Sequence, residues 1–184
     1  MRYEIVFSGS GGQGMILSGI ITAEAASVHD KMHAVQTQSY GPEARGGMTE
    51  SYVILSEDEP VDYPEITHAD VLVALSQPGL DRQLGHLKND ALIVVDSKGV
   101  TTEAAKQYRV YALPMTEISM EITGRPISAN IVAIGAMAAA SGRVSTAAFE
   151  AVISRRVPKG TAEKNIAAFR AGYDAMKNAI SAQV

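Results

Sequence analysis

The sequence predicts an α/β fold, a three-layer α/β/α sandwich built on a mostly parallel sheet. Short apolar runs alternate with longer helical patterns, as they do in folds whose helices cover both faces of a sheet. Two of the runs, residues 71–75 and 91–95, are continuously apolar, which is typical of strands buried on both faces. With 184 residues, 46% of them hydrophobic, the chain is long enough for one well-packed domain, and we expect that domain to span residues 1–184.

The elements follow one another without repeats or linkers. Residues 5–7 predict the first strand, and the apolar spacing of residues 15–28 predicts a helix with a broad buried face. Two further strands, 34–38 and 51–55, are joined directly by a loop, which indicates one antiparallel pairing. Beyond the two buried strands, residues 108–113 predict an edge strand that Pro114 ends. Helices are then predicted over 129–140, 146–155 and 162–182.

Composition excludes several classes of function. The net charge of −4 gives no electrostatic reason to expect nucleic acid as a partner. Because the chain has no cysteine, it cannot form a disulfide, use a thiol nucleophile or hold an iron–sulfur cluster through thiolates. The first apolar run contains Glu4 and leads into glycines, so it is a strand and not a signal peptide, and no apolar stretch approaches the roughly 20 residues of a membrane span. We therefore expect a soluble, cytoplasmic protein that binds neither nucleic acid nor a membrane.

The segment after the first strand, residues 9–14, reads GSGGQG and satisfies the G-x-G-x-x-G pattern of Rossmann-like folds. Glycines let the backbone approach an anion closely, and the start of the next helix supplies unpaired N–H groups. An NAD site is disfavoured, because it needs an acidic residue at the end of the second strand, where residues 36–38 read QTQ. Asp30 lies before that strand, at the wrong end of the sheet. The segment is either a turn that binds nothing or a contact to a phosphate, a carboxylate or the backbone of a partner.

A second glycine-rich loop, residues 39–47, reads SYGPEARGG. Its proline and glycines fix an unusual backbone path, and Arg45 places within it a cation suited to phosphate or carboxylate. The alternative is a solvated Glu43–Arg45 pair on an ordinary turn, which would contribute little. If the strands before the two loops are parallel neighbours, the loops meet at the carboxyl edge of the sheet, where open α/β folds bind their ligands.

Three polar positions outside the loops also require an interpretation. Asn130 begins a buried apolar helix, so it is either the N-terminal cap of that helix or a contact to a partner. Asp96 ends a buried strand, and it either binds a ligand or caps the turn that follows. His29 and His33 are four residues apart but straddle a helix-to-strand junction, so no metal site is predicted from them.

Taken together, the two loops resemble the γ subunit, or the corresponding domain, of the pyruvate/2-oxoacid:ferredoxin oxidoreductases, the pyruvate/ketoisovalerate oxidoreductase catalytic domain family. The resemblance covers nearly the whole chain in the same order. After the loops it continues through 69–78, 96–97, 130–136 and 165–173. Residues 38–47 followed by 62–64 (DYP) are closer to the 2-oxoglutarate type than to the pyruvate type. Two segments depart from the family pattern: Met48-Thr49-Glu50, with an acid just after the double glycine, and Gly124-Arg125-Pro126.

The resemblance implies an activity of a complex. Such complexes oxidatively decarboxylate a 2-oxoacid, join it to coenzyme A and pass the electrons to ferredoxin or another acceptor. Thiamine diphosphate, Mg²⁺ and iron–sulfur clusters would then belong to α- and β-type subunits, with a ferredoxin-like δ-type subunit as a further partner. The chain by itself would be inactive and would hold no catalytic residue and no metal.

By the same analogy, the glycine loops would meet coenzyme A or a neighbouring subunit. The candidate residues for that contact are Gly9, Gly11, Gly12, Gln13, Gly14, Ser39, Tyr40, Gly41, Pro42, Glu43, Arg45, Gly46, Gly47 and Asn130. Three alternatives stay open: the γ subunit of the pyruvate, 2-oxoisovalerate or indolepyruvate enzyme, a stand-alone nucleotide-binding protein, and a purely structural scaffold.

Overall fold

A computed structural model describes residues 1–40 and 47–182, and within them the chain forms one mixed six-stranded sheet. The strands are β1 (Arg2–Ser10), β2 (His33–Tyr40), β3 (Met48–Ser56), β4 (Ala69–Ala74), β5 (Leu87–Asp96) and β6 (Arg109–Leu113), in the spatial order β2-β3-β1-β4-β5-β6. Strands β1, β4, β5 and β6 pair in parallel, whereas β3 lies antiparallel to both β1 and β2. The predicted α/β fold with a mostly parallel sheet is confirmed. The predicted antiparallel pairing of the second and third strands is confirmed as β2–β3, and β3 also pairs antiparallel with β1, which the sequence did not predict.

Helices cover both faces of the sheet. They are α1 (Met15–Glu24), which continues as a π-helical turn (Ala25–His29), α2 (Gln77–Gln83), α3 (Met115–Thr123), α4 (Ala129–Ser141), α5 (Thr146–Arg156) and α6 (Ala162–Ala182). Every predicted helix is present, with ends within two residues of the prediction, and β6 lies at the sheet edge as expected. Helices α2 and α3 were not predicted. Helix α2 has only seven residues, but it carries a local signal: the Ser76 hydroxyl accepts a hydrogen bond from the Gly79 N–H, and Pro78 lies in the first turn.

Side chains that alternate along the strands form two separate cores. Ile5 and Phe7 of β1 face the layer made by α1, α3, α4, α5 and α6, whereas Val6 faces the thinner layer that contains α2. The larger core is closed by α4, which is buried from Ala129 to Ala138. Helices α4 and α6 pack closely because residue 172 is glycine: a Cβ on Gly172 would lie 2.0 Å from the Val132 carbonyl oxygen. No helix in the described part of the chain is long and apolar enough to cross a membrane.

Candidate functional site

The glycine turn after β1 and the described ends of the second glycine-rich segment, residues 39–40 and 47, lie at the same edge of the sheet. The two strands that precede them run in the same direction, but they are not the neighbours we considered, since β3 lies between β1 and β2. The two segments nevertheless meet, because the Gly11 N–H donates a hydrogen bond of 2.7 Å to the Gly47 carbonyl oxygen. The end of the β2–β3 connection is therefore tied to the turn that follows β1. This edge is also the carboxyl edge of β4 and β5, where open α/β sheets bind ligands.

The side chain of Gln13 holds the glycine turn in place. Its Oε1 accepts a hydrogen bond of 2.6 Å from the Ser10 N–H, and its Nε2 donates one of 3.0 Å to the Leu75 carbonyl oxygen. The carboxamide thus bridges the end of β1 and the residue after β4. Gln13 therefore fixes the shape of the turn from within.

Asn130 connects α4 to the start of α1. It is the second residue of α4, and Ser128 occupies the N-cap position, so the interpretation of Asn130 as a helix cap was wrong. The Asn130 side chain lies against Gly14 instead, and its Nδ2 donates a hydrogen bond of 3.4 Å to the Gly14 carbonyl oxygen. Gly14 has a φ of +77° and a hypothetical Cβ only 2.5 Å from Asn130 Nδ2, so both backbone shape and space require glycine here. Contact of Asn130 with a partner stays a prediction.

A cavity of about 410 Å³ opens beside the glycine turn, between the starts of α1, α4 and α6. We call it the three-helix cavity. Its polar lining includes two cationic residues, Arg125 and Lys164, and two asparagines, Asn130 and Asn165. Its remaining lining residues are Gly12, Gly14, Leu17, Thr123, Ile127, Ser128, Ile131, Val157, Pro158, Gly160 and Thr161. One of the two departures from the family pattern, at Arg125, therefore lies at this cavity.

The other departure, Glu50, forms the centre of a buried hydrogen-bond network near the start of β3. Its side chain is almost fully buried, and Oε1 accepts hydrogen bonds from the Ser8 hydroxyl at 3.2 Å and from Gln83 Nε2 at 2.5 Å. Oε2 accepts a hydrogen bond of 2.8 Å from the Tyr52 hydroxyl and lies 3.6 Å from Arg82 Nε. Burial, together with the hydrogen bond to Glu50, raises the pKa of Tyr52 to about 12. The sequence signal was an acid inside an otherwise strand-like segment, and its role could not be assigned without α2.

A second cavity, of about 490 Å³, lies over β2 and β3 on the other face of the sheet, next to this network. Tyr63 and Pro64, which belong to the segment that favours the 2-oxoglutarate type, line it. The backbone there is fixed by Arg2, whose guanidinium donates hydrogen bonds to the carbonyl oxygens of Tyr63 and Glu65 at 2.8 and 2.6 Å. The other lining residues are Thr37, Tyr52, Glu65, Ile66, Arg82, Gln83 and His86.

The structure describes only part of the second loop. Ser39 is half-buried near the end of β2, where it pairs with Glu50 of β3, and Tyr40 ends the strand. The remaining predicted residues of the loop up to Gly46, namely Gly41, Pro42, Glu43, Arg45 and Gly46, lie outside the described residues.

Asp30 and Asp96, the two acidic residues considered from the sequence as possible ligand contacts, both have structural roles. Asp30 accepts hydrogen bonds from the Ser145 N–H and hydroxyl at 2.6 and 2.8 Å, far from the end of β2 where a ribose-binding acid would lie. Asp96 accepts hydrogen bonds from the Lys98 N–H and from the Thr116 hydroxyl, which confirms that it caps the turn after β5. In the described ranges no group of three His, Cys, Asp or Glu residues could hold a metal ion.

The sheet is Rossmann-like, its glycine turn is tied to Gly47 after the second glycine loop, and the second strand lacks the acidic residue of a dinucleotide site. These features define the class of protein as an α/β protein with a glycine turn that does not match a dinucleotide-binding enzyme. The model of the pyruvate ferredoxin/flavodoxin oxidoreductase family matches residues 4–175, and the chain belongs to this family. The family resemblance predicted from the sequence is therefore confirmed.

Two relatives match over almost their full length. The 2-oxoglutarate synthase subunit KorC of Methanocaldococcus jannaschii is 46% identical over 96% of this chain and 95% of the relative. The crystal structure of the keto/oxoacid ferredoxin oxidoreductase gamma subunit from Geobacter sulfurreducens is also 46% identical, with a TM-score of 0.88 over 97% of this chain and 98% of that one. The 2-oxoglutarate:ferredoxin oxidoreductase of Magnetococcus marinus, determined with 2-oxoglutarate, coenzyme A and succinyl-CoA bound, shares the fold. Its identity is 24% and its TM-score 0.83 over 96% of this chain and 31% of that chain.

Proposed function

We propose that this chain is the γ subunit of a 2-oxoglutarate:ferredoxin oxidoreductase and that its glycine-loop edge positions coenzyme A and packs against a neighbouring subunit. In the reaction, 2-oxoglutarate loses CO₂, its remaining acyl carbon forms a thioester with coenzyme A, and two electrons leave for ferredoxin or another acceptor. The observation that carries the positioning role is the hydrogen bond from Gly11 to Gly47, because it joins both glycine-rich segments at the ligand-binding edge of the sheet.

The redox and decarboxylation chemistry belongs to other subunits. The chain has no cysteine to hold an iron–sulfur cluster through thiolates, and its described carboxylates form no cluster suited to Mg²⁺. Thiamine diphosphate, which stabilises the carbanion left by decarboxylation, is accordingly assigned with Mg²⁺ to the α- and β-type subunits. The clusters are assigned to the partners as well, including a ferredoxin-like δ-type subunit. We also propose that the chain forms a single domain over residues 1–184 and that the protein is cytoplasmic.

What the chain contributes is a preformed surface. The Gln13 carboxamide fixes the turn, so that the N–H groups of Gly12 and Gly14 and the first turn of α1 are held in place before a ligand or subunit arrives. The described candidates for the contact are Gly9, Gly11, Gly12, Gln13, Gly14, Ser39, Gly47 and Asn130. Tyr40, Gly41, Pro42, Glu43, Arg45 and Gly46 remain candidates from the sequence.

The test is reconstitution of the complex with and without this chain. The purified chain alone is expected to be inactive, and adding it to its α- and β-type partners should restore reduction of an acceptor dye that depends on coenzyme A. 2-Oxoglutarate should give a higher kcat/KM than pyruvate, 2-oxoisovalerate or indolepyruvate. Full activity without this chain would refute the role as a required subunit, and a preference for another 2-oxoacid would refute the substrate.

Two further measurements separate the alternatives. Tight binding of NAD or NADP to the isolated chain in calorimetry would identify a stand-alone nucleotide-binding protein. Arg45→Ala separates positioning from scaffolding: the proposed role predicts a higher KM for coenzyme A in the assembled complex. A purely structural scaffold predicts weaker assembly with that KM unchanged.

A further inference from the structure

The two edges of the sheet differ in how well they are protected against pairing with another strand. Proteins protect exposed edges by short strands, charged side chains, proline or a bulge. Strand β6 has only five residues, begins with the exposed Arg109 and is followed by Pro114. Strand β2 has eight residues, and none of them is Asp, Glu, Lys, Arg or Pro. Of the two edge strands, β2 therefore lacks these forms of protection.

Strand β2 is also regular along its whole length. All eight residues are paired with β3 in continuous register, without a bulge that would twist the edge away. On the outer side of β2 no strand of the described chain is paired with it. From His33 to Ser39 no residue is fully buried. The Thr37 carbonyl oxygen accepts a hydrogen bond of 3.0 Å from the Gln36 carboxamide, a side-chain contact that an incoming strand can replace. The outer side thus presents backbone groups that another strand can bind.

A second copy of β2 can pair with this edge without a conflict of charge. Two copies of the same strand related by a two-fold axis form an antiparallel pair, in which the same surface is used on both sides. Like charges directly opposite each other destabilise such a pair. Because β2 has no carboxylate, lysine or arginine, no two of these groups come to lie opposite each other.

An acidic segment, residues 57–62, lies at the end of the sheet where β2 begins. It follows β3, whose last residue, Ser56, is paired with His33 at the start of β2. Glu59 and Asp62 of this segment are exposed and form no ion pair with a described residue. The start of β2 is therefore flanked by negative charge.

The later half of β2 is flanked by positive charge. Thr37 lines the second cavity, over β2 and β3, together with the exposed side chains of Arg82 and His86. Arg82 lies 3.6 Å from Glu50, but 53% of its side chain remains exposed. The surface beside β2 thus changes from acidic to basic along the strand.

Antiparallel pairing of two copies brings these opposite charges together. The start of one β2 lies beside the end of the other, so the acidic segment of each copy lies beside the second cavity of the other copy. A parallel pairing would instead set acid beside acid. Tyr63 connects the acidic segment to the cavity, and its ring is 61% exposed. Tyrosine is enriched in protein interfaces, because its ring is apolar and its hydroxyl is polar.

We infer that the outer edge of β2 pairs antiparallel with β2 of a second copy of this chain, which joins the two six-stranded sheets into one continuous sheet. The acidic segment of each copy then faces Arg82 and His86 in the second cavity of the other. This surface lies outside the glycine turn, and the inference does not depend on the proposed reaction.

The first experiment uses single cysteines. The natural chain has none, so one introduced cysteine reports contact between two copies directly. Cysteine replaces each residue from 33 to 39 in turn, the purified full chain is oxidised, and the yield of covalent dimer is measured. Opposed Cα atoms in an antiparallel pair are about 4.5–5.5 Å apart, within the roughly 4.4–6.8 Å that a disulfide spans. Ala112→Cys, at an exposed position of β6, is the matched control.

A two-fold axis brings a residue opposite its own copy only at the centre of the pair. The yield of covalent dimer should therefore peak at one position inside β2 and fall to background within about two residues on either side. Ala112→Cys should stay at background. Circular dichroism establishes that each variant is folded, and a position whose variant does not fold is judged from its neighbours.

The second experiment tests the charges. Asp62→Lys changes an attraction into a repulsion at two symmetry-related places, so the Kd of the dimer in sedimentation equilibrium should rise about threefold or more. The effect should shrink in about 1 M salt. His86→Glu added to Asp62→Lys should recover part of the affinity. Asp174→Lys, the same change at an exposed position of α6, is the matched control and should leave the Kd unchanged.

Three results would overturn the inference. The first is a chain that stays monomeric at every concentration in sedimentation. The second is a yield of covalent dimer that is at background along all of β2, or equal at every position, which would show a parallel pairing. The third is a Kd for Asp62→Lys equal to that of Asp174→Lys, which would contradict the placement of the acidic segment. Failure of the proposed function is separate, because it is measured as activity of the reconstituted complex.

Discussion

Replacing Gly14 by alanine should destabilise the chain through two separable effects. The first is backbone strain, because a φ of +77° costs a residue with a Cβ about 1–2 kcal/mol. The second is overpacking. The new Cβ would lie 2.5 Å from Nδ2 and 2.8 Å from Cγ of Asn130, a buried side chain that must move. Overpacking of this kind adds about 1–3 kcal/mol, so the total loss of unfolding free energy should be about 2–5 kcal/mol.

Gly12 supplies the matched control for this substitution. It has a φ of +92°, but a Cβ added there would have nothing within 4 Å. Gly12→Ala should therefore show the strain alone, about 1–2 kcal/mol. Asn130→Ala provides the second test, since it removes the two closest clashing atoms and leaves only a Cβ at 3.2 Å from the new methyl group. In that background the cost of Gly14→Ala should fall close to the cost measured for Gly12→Ala.

The measurement is urea denaturation of the purified chain and its variants, followed by far-ultraviolet circular dichroism. A coupling free energy between Gly14→Ala and Asn130→Ala of about 1 kcal/mol or more is expected, with the double variant more stable than the sum of the single effects predicts. Equal losses for Gly12→Ala and Gly14→Ala, with no coupling to Asn130, would refute the packing argument. The strain argument fails separately if Gly12→Ala leaves the unfolding free energy unchanged.

Three further outcomes follow from the buried interior. Glu50→Ala should cost about 2–3 kcal/mol in urea denaturation, because it leaves buried donors without an acceptor, and a loss below about 1 kcal/mol would contradict that. Burial raises the pKa of Tyr52 from 10.0 to about 12, so its contribution to stability is fully present below pH 10 and is lost as the pH rises toward 12. Tyr52→Phe should weaken that alkaline loss of stability, as measured by urea midpoints at pH 9 and 11, and an unchanged pH dependence would argue against it. Gly172→Ala should cost about 3 kcal/mol in thermal unfolding, because its Cβ would meet the Val132 carbonyl oxygen at 2.0 Å and backbone there cannot rotate away. If Gly172→Ala left the stability in thermal unfolding almost unchanged, α4 and α6 would have to separate readily.

Most elements could be predicted because their signals are local. The buried runs that became β4 and β5 and the long pattern of α6 need only periodicity and burial to be recognised. The position of β3 could not be obtained in this way. A direct link between two strands indicates an antiparallel pair, but only the assembled sheet shows that β3 pairs on its other side with β1 as well. Helix α2 was missed because seven residues are too few for an amphipathic pattern.

In the candidate site, too, the features with a local sequence signal could be predicted and those that depend on distant residues could not. The glycine turn was found because its motif is contiguous in sequence, whereas the three-helix cavity collects residues from three separate segments, 12–17, 123–131 and 157–165. Arg125 and Lys164 are 39 residues apart in sequence, and nothing local connects them. Asn130 was noticed but misinterpreted, because a polar residue at the start of an apolar helix is typical of a cap. Its actual neighbour, Gly14, is 116 residues away.

The geometry around Gly14 differs from that of a dinucleotide site, although the glycine motif is the same. In a dinucleotide site the glycine turn faces a ribose held by an acid on the second strand. Here β3 lies between β1 and β2, so the second strand is at the sheet edge. The Gly47 carbonyl oxygen accepts a hydrogen bond from the Gly11 N–H. Space on the opposite side of the turn, beside Asn130, remains open and carries cations instead of an acid.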